Sequence, residues 1–480
     1  MSYLSVILVL LFLPGSVIAA ESVGQLSPHD PFVAVLYLSL FLFLGYVVKA
    51  IFLRGIMVPS SLLGGLFALA FGPELLGSVI GSLIDGSSTG FLSPETLAFW
   101  KKSPTFLITI VFAGLFLGNK IPSLQQVLKQ GAPNLFFGYS LAFGQYTVGL
   151  ALVVFLLGPM FGVHDLAGAL IAIGFQGGHG TAAGMGGTFA KLGFAEGMDL
   201  GLALATIGLA CSIIIGTLIL NLSGLAKHAE RVSIQDEEAV SSKDEPLHDG
   251  GADQPDIANS LPFHLGIFGF VIATGWLMQQ LFIRIDQLLS GGEATIMGYV
   301  PLFPIAMIAG LIFQFLVVKF GFRRYVNSFQ VQVVSNIALD FLIVAALGSL
   351  SIGALTANLT LVLILSGAGI AWNMAAYYIL ARKLFGSRWK VRGLGELGQS
   401  MGTTAIGLML LKQAEKVDPT AMKAFSYKQP LYEPLVGGGL VTALALPMIA
   451  SLGAKGFLMV TGSILAIVLF VGLVVIRPER

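Results

Sequence analysis

Charge and cysteine are both scarce in this chain. Only 11% of its 480 residues are Asp, Glu, Lys or Arg, against roughly 25% in soluble domains, which excludes a water-soluble fold. The single cysteine, Cys211, excludes an intrachain disulfide framework and a multi-cysteine metal site. Its apolar neighbours mark an inert core thiol. Net charge is +1, with Lys and Arg spread over many loops rather than gathered in a stripe, so nucleic acid is not a partner. The sequence also has no G-x-x-x-x-G-K-[ST] loop, no paired metal-ligand histidines and no long soluble domain. These absences speak against an ATP-driven pump and against an enzyme.

Hydrophobic residues make up 56% of the chain. Apolar stretches long enough to cross a bilayer, about 17–25 residues each, recur with short polar connections. They read as helices, because a β-barrel would alternate apolar and polar residues in short segments. Spans are expected near 32–52, 58–80, 106–117, 135–157 and 200–220, then near 263–283, 297–318, 331–350, 355–380 and 435–452, with a last one at 456–475. Between the two sets, residues 223–262 form an acidic linker that carries Glu230, Asp236, Glu237, Glu238, Asp244, Glu245, Asp253 and Asp256. In residues 1–30, the apolar run is followed by Pro14-Gly15, and Val17 and Ala19 are placed like a signal-peptidase site. A basic n-region is missing, so a cleaved signal and an extra span are both open.

Residues 31–222 and 263–452 each hold five spans and one glycine-rich stretch, 165–190 and 393–411, which suggests a duplication. Gly174-Phe175-Gln176-Gly177-Gly178-His179-Gly180-Thr181-Ala182-Ala183 faces Gly395-Glu396-Leu397-Gly398-Gln399-Ser400-Met401-Gly402-Thr403-Thr404-Ala405 with one inserted residue. Earlier in each half, Pro59 with Gly65-Leu66 matches Pro304 with Gly310-Leu311 at equal spacing. Charge placement is an independent test, because cytoplasmic loops collect Lys and Arg. With the Phe32 end outside, only Lys101, Lys102, Lys191, Arg284 and Lys455 of the 26 basic residues stay outside. That count requires the first glycine-rich segment to enter and leave from outside and the second from the cytoplasm. The expected fold is therefore an all-α polytopic membrane protein: two inverted repeats of five transmembrane helices, each with a glycine-rich re-entrant hairpin, plus a C-terminal span at 453–480.

Unpaired backbone groups in hydrocarbon cost several kcal/mol, so interrupted helices survive there only inside protein or around a wet cavity. At such a tip, N–H groups can hold a carboxylate and freed carbonyls can coordinate Na⁺. Gln176, Gly177, Gly178, His179, Gly180 and Thr181 in the first tip, with Gln399, Ser400, Gly402, Thr403 and Thr404 in the second, are the candidate substrate-binding residues. Close packing of small residues between helices is the bland reading of the same glycines. His179 could donate to an anion, relay a proton, or simply bond to backbone. Glu396 could enter the site or stay solvated at the cytoplasmic boundary. In span 331–350, Gln332, Asn336 and Asp340 share one helical face. Asn336 and Asp340 are the candidate Na⁺ ligands, with a salt bridge or interhelical hydrogen bond as the alternative. Gln145 and Asn373 occupy corresponding mid-span positions, where either could bridge helices.

The run Gly177-Gly178-His179-Gly180-Thr181-Ala182-Ala183, followed by Lys191-Leu192 and Gly193-Phe194, resembles the bacterial sodium/glutamate symporter family. The resemblance also takes in Gly118-Asn119, Ser123-Leu124, Ala205-Thr206-Ile207-Gly208-Leu209 and Pro434-Leu435-Val436-Gly437. It implies ten core helices in two inverted halves, Na⁺ as coupling ion with no other cofactor, glutamate as cargo, and a homodimer in the bacterial inner membrane. The chain has Pro59-Ser60-Ser61 where the family tends to have Pro-Glu-Pro, and Gly402-Thr403-Thr404 in place of a Thr-Pro-Thr. The expected activity is Na⁺-coupled symport of glutamate or a related small carboxylate. A Na⁺- or H⁺-coupled carrier of another organic anion, such as a 2-hydroxycarboxylate, and a cation/proton antiporter are the alternatives.

Overall fold

Start and stop residues, more than hydropathy, set where the helices lie. The computed structural model describes residues 31–53, 58–77, 79, 92–119, 122–223, 256–291, 296–415 and 417–476. The signal-like segment 1–30 and nearly all of the acidic linker fall outside these residues. The chain begins with α1 (Pro31–Phe52), α2 (Ser60–Ala70) and α3 (Pro94–Gly114). α2 is much shorter than the apolar run 58–80, because Gly72-Pro73 follows and proline cannot continue the hydrogen-bond ladder. α3 starts well before the apolar run 106–117. Pro94 occupies its first turn, and Ser93 caps it by accepting from the Thr96 N–H at 3.2 Å. Hydropathy misses this part of α3 because Lys101 and Lys102 lie on its exposed side, while Trp100 is buried and donates to the Ala34 carbonyl at 3.0 Å.

Next come α4 (Val127–Phe161), α5 (165–176), α6 (Gly178–Gly184), α7 (Gly186–Lys191) and α8 (Gly197–Leu222). The second half holds α9 (Leu261–Leu289), α10 (Leu302–Lys319), α11 (Ser328–Gly348), α12 (Ile352–Ala357), α13 (359–385), α14 (Trp389–Met401) and α15 (Thr404–Gln413). It closes with α16 (Ala421–Tyr432), α17 (440–452) and α18 (454–475), the last two parted at Gly453. No strand occurs among the described residues, and eight helical stretches are long and apolar enough to cross a bilayer. The protein is a multi-pass membrane protein.

Lipid supplies no hydrophobic drive between helices, so small residues that let backbones approach decide the packing. α1, α2 and α3 assemble with α9, α10 and α11, and their contacts recur in matched pairs: α1 on α2 as α9 on α10, and α2 on α11 as α10 on α3. The two glycines paired by sequence make corresponding contacts. A Cβ on Gly65 would stand 2.8 Å from the Leu347 side chain of α11, and one on Gly310 would stand 2.4 Å from the Ala113 carbonyl of α3. The remaining elements form a second group around α4, α8 and α13, tied by Trp372 donating to the Leu141 carbonyl at 3.1 Å. Between the groups the contact is largely apolar, with Ile108, Phe112, Phe303 and Leu342 sharing one core with Phe175, Ala182 and Ala183, and Thr188 of α7 donating to the Tyr299 carbonyl ahead of α10 at 2.9 Å.

Candidate substrate-binding site

Both glycine-rich segments are interrupted helices, and both turn back on themselves. The first breaks between α5 and α6, where Gly178 has φ +68°, a conformation costing an L side chain roughly 1–2 kcal/mol. The His164 and Phe194 rings, just outside its two ends, stack at 5.0 Å and 8°, so the two ends of the segment lie side by side. The second breaks at Gly402-Thr403, both outside helical geometry. Its arms α14 and α15 lie against each other: a Cβ on Gly398 would stand 2.9 Å from the Gly407 Cα, and one on Gly395 would meet Leu411 at 2.6 Å. The two breaks meet. A Cβ on Gly178 would find the Gly402 carbonyl oxygen at 3.8 Å.

A third interruption, residues 433–439 between α16 and α17, joins them. Gly438 has φ +85°, and a Cβ there would stand 2.6 Å from the Thr181 Oγ1 of the first tip. At the other end of the loop, Glu433 Oε1 accepts from Gln399 Nε2 and from Thr404 Oγ1, each at 2.9 Å, both in the second tip. Gln399 Nε2 also reaches Thr404 Oγ1 at 2.9 Å and Gln429 Oε1 at 3.2 Å. Glu433, Gln429 and Gly438 were not singled out from sequence. Pro434 with Gly437-Gly438-Gly439 inside the apolar run 435–452 was the signal for this break.

Of the first-tip candidates, Gln176 and Thr181 are buried; among the described residues the Thr181 hydroxyl has no hydrogen-bond partner, while the Gln176 amide lies within reach of the Tyr432 hydroxyl. Leaving such a hydroxyl unsatisfied costs roughly 1–3 kcal/mol, which a bound polar ligand would relieve. Gly177 is packed tightly, since a Cβ there would lie 2.7 Å from the Thr181 Cβ. Gly180 faces Ile108 of α3, 2.6 Å from where its Cβ would be. His179 turns away from the second tip: its Nε2 lies 3.0 Å from Thr206 Oγ1 on α8. Thr206 gives its own proton to the Leu202 carbonyl at 2.9 Å, so Nε2–H of His179 is the donor and the ring serves as a structural tie.

In the second tip, Thr403 caps α15 by accepting from the Ile406 N–H at 3.2 Å, and its side chain is exposed. Ser400 points backward. Its hydroxyl donates to Asn373 Oδ1 at 2.5 Å and its carbonyl accepts from Gln145 Nε2 at 2.8 Å. Gln145 and Asn373 thus bridge helices and brace the tip from behind. Glu396 is not solvated at a boundary: it is buried, paired with Lys428, and accepts from Asn134 Nδ2 at 2.9 Å. Lys428, counted from sequence among the cytoplasmic charges, is wholly buried against the Phe425 and Tyr432 rings at 4.6 and 4.0 Å. Loop counting misassigned it because α16 carries it into the protein interior. The structure does not bring Asn336 and Asp340 to the breaks. Asn336 is exposed, and Asp340 accepts from the Tyr46 hydroxyl at 3.1 Å. It is Leu342, on another side of α11, that approaches Gly180, at 4.0 Å from its Cβ position.

The family model described as sodium/glutamate symporter matches residues 30–414 of the 480. Searches of curated proteins and of solved structures returned no significant match. The family match ends before α16, so Lys428, Glu433 and Gly438 lie beyond it.

Proposed function

The chain belongs to the sodium/glutamate symporter family, and on that premise we propose that it carries glutamate or a related small carboxylate with Na⁺ across the bacterial cytoplasmic membrane by alternating access. The single observation that carries this reading is the meeting of the breaks at Gly178 and Gly402 beside the buried Thr181 hydroxyl, which has no partner among the described residues. Backbone interrupted at that depth is costly unless a ligand or wet cavity completes it.

In this reading α5–α7 and α14–α15 are re-entrant hairpins from opposite faces. The matched packing of α1–α3 and α9–α11 supports two halves related by inversion, since each half has an odd number of spans. The Gln176 amide, the Thr181 hydroxyl and the first free N–H groups of α15 hold the substrate carboxylate. The last carbonyls of α14 beyond those bonded to Gln145 and Ser212, which helix geometry leaves without intrahelical partners, supply oxygen for Na⁺. The group of α1–α3 and α9–α11 acts as scaffold, and the hairpin-bearing group slides past it along the apolar contact of Ile108, Phe112 and Leu342. Such a surface has few directional bonds to break at each step, the Thr188–Tyr299 hydrogen bond among them.

Purified protein reconstituted in proteoliposomes provides the test. An imposed inward Na⁺ gradient is expected to drive concentrative, saturable uptake of labelled glutamate. If neither glutamate nor any related dicarboxylate accumulates under that gradient, the proposal is wrong.

A further inference from the structure

We propose that the corner between α13 and α14 is a binding site for the headgroup of an anionic phospholipid, held by Arg382, Lys383 and Lys390. The corner stands at the opposite end of α14 from the break at Gly402, and it is independent of which solute the breaks bind.

Charge of one sign collects here. Between Asp340 and Glu396 the sequence has no acid, and Arg382, Lys383, Arg388, Lys390 and Arg392 follow one another closely. The last of these is spent inside the protein, where Arg392 pairs with Asp418 at 3.1 Å, and Arg388 donates to Thr420 Oγ1 at 3.3 Å. The side chains of Lys383 and Lys390 are exposed and make no hydrogen bond or ion pair among the described residues. Arg382 is exposed too, yet held in place. Its guanidinium lies over the Trp389 ring at 4.6 Å and the Tyr378 ring at 6.0 Å, one ring from each helix. Tyr377 fixes the corner between them by donating to the Lys390 carbonyl at 3.1 Å and packing on Trp389 at 5.2 Å. A guanidinium resting on ring faces keeps its N–H donors for a further partner, and their planar fork fits two oxygens of one phosphate. Arg382 gives none of them to another described residue.

The surroundings fit a lipid rather than a soluble anion. One turn back along α13 from Arg382 and Lys383 stand Tyr378 and Ile379, both exposed. The helix face therefore passes from apolar and aromatic to basic within a turn, the order of hydrocarbon, interface and headgroup at a bilayer surface. An acyl chain leaving a headgroup at Arg382 meets Tyr378 and Ile379 next. The last turn of α18 reaches the same corner: a Cβ on Gly472 would stand 3.4 Å from the Leu384 side chain, and Val474 and Val475, which follow, are exposed. Basic residues placed between helices at the charged end of a membrane protein attract anionic headgroups. The other basic end, after α10, lacks this frame, because Lys319 and Arg324 lie over Phe320 and Tyr325, each the next residue in the chain.

The test titrates full-length protein in detergent with dioleoyl phosphatidylglycerol, dioleoyl phosphatidylcholine and inorganic phosphate. Binding is read as the rise in melting temperature and as lipid adducts in native mass spectrometry. Phosphatidylglycerol is expected to give a saturable rise, and phosphatidylcholine and phosphate none at the same concentration. Each basic residue removed is expected to weaken phosphatidylglycerol binding about fivefold. Lys383→Gln combined with Lys390→Gln tests this without disturbing the fold, since neither side chain is bonded to another described residue. Arg382→Gln, which also gives up the ring contacts, is expected to cost at least as much as either lysine. Lys319→Gln combined with Arg324→Gln is expected to leave binding unchanged, and an equal loss there would mean diffuse attraction to the basic face and overturn the site. An equal rise with phosphatidylcholine, or undiminished phosphatidylglycerol binding in the double lysine variant, overturns it as well. A matching rise with inorganic phosphate would make the corner a free-anion site and overturn the lipid assignment. None of these readings needs uptake, so their outcome is separate from that of the transport test.

Discussion

Gly178 and Gly402 face each other across the two helix interruptions, close enough that a methyl group on Gly178 would lie 3.8 Å from the Gly402 carbonyl oxygen. That spacing is ordinary contact, so the demand for glycine at position 178 comes from its φ of +68° and not from crowding. Gly178→Ala is expected to fold with a stability loss of about 1–2 kcal/mol and to slow uptake, because relaxing the strained angle rotates α6 against the second tip. Thermal denaturation in detergent and initial uptake rates check the two effects. A variant with full stability and full rate would show that the break does not depend on this backbone angle.

Thr181→Val separates binding from folding. The hydroxyl is buried without a partner, and replacing it with a methyl removes a polar group whose burial costs about 1–3 kcal/mol. The variant is expected to melt at or above the wild-type temperature while its apparent affinity for substrate falls. A loss of stability would mean that the hydroxyl has a partner in the folded protein.

Lys428 and Glu396 form a wholly buried ion pair. Removing one partner leaves an uncompensated charge, at a cost of about 3–5 kcal/mol. Lys428→Met and Glu396→Gln are each expected to lower the melting temperature strongly, and the double substitution to recover part of the loss. A double-mutant cycle on thermal stability measures the coupling, and additive losses would argue against a direct pair.

Asp340 accepts from Tyr46 and is not brought to the breaks. Asp340→Asn is expected to leave the Na⁺ dependence of uptake where it is. A marked rise in the Na⁺ concentration needed for half-maximal uptake would return this residue to the ion site.

Outside the spans, Asp418 links the loop before α16 to the start of α14. Burial by itself would raise its carboxyl, but hydrogen bonds from Thr420 and Arg392 and the guanidinium charge outweigh it and hold the group below the usual carboxylate range. A pKa lowered on folding stabilises the protein above the unfolded-state value, and the gain is lost as pH falls through the folded-state value. The melting temperature of wild type is therefore expected to exceed that of Asp418→Asn at neutral pH, with the gap closing on acidification below about pH 4. A gap that stays constant with pH would mean that the charge of Asp418 adds nothing to stability.

Hydropathy and glycine density were enough to find most spans and both glycine-rich breaks, because lipid forces continuous backbone pairing and any exception must be written in residues that tolerate it. Gly65 and Gly310, paired by sequence, both sit at close helix contacts, the first against the Leu347 side chain and the second against the Ala113 carbonyl. The start of α3 was not legible, since Lys101 and Lys102 lower the apolar average while Ser93 and Pro94 start the helix.

Side-chain direction was beyond the sequence. Ser400, His179 and Asp340 all lie in or near segments expected to bind, yet each turns to a bracing partner, Asn373, Thr206 or Tyr46. Membrane residence, helical class and the places where helices break follow from composition and local backbone preference, so the chain alone determined them. Which polar groups remain unpaired at those breaks, and that α16 brings Lys428 to Glu396 and Glu433 to Gln399, was decided only by tertiary packing. A charge's partner can lie far along the chain, as Glu396 and Lys428 lie 32 residues apart, and no local pattern encodes that distance.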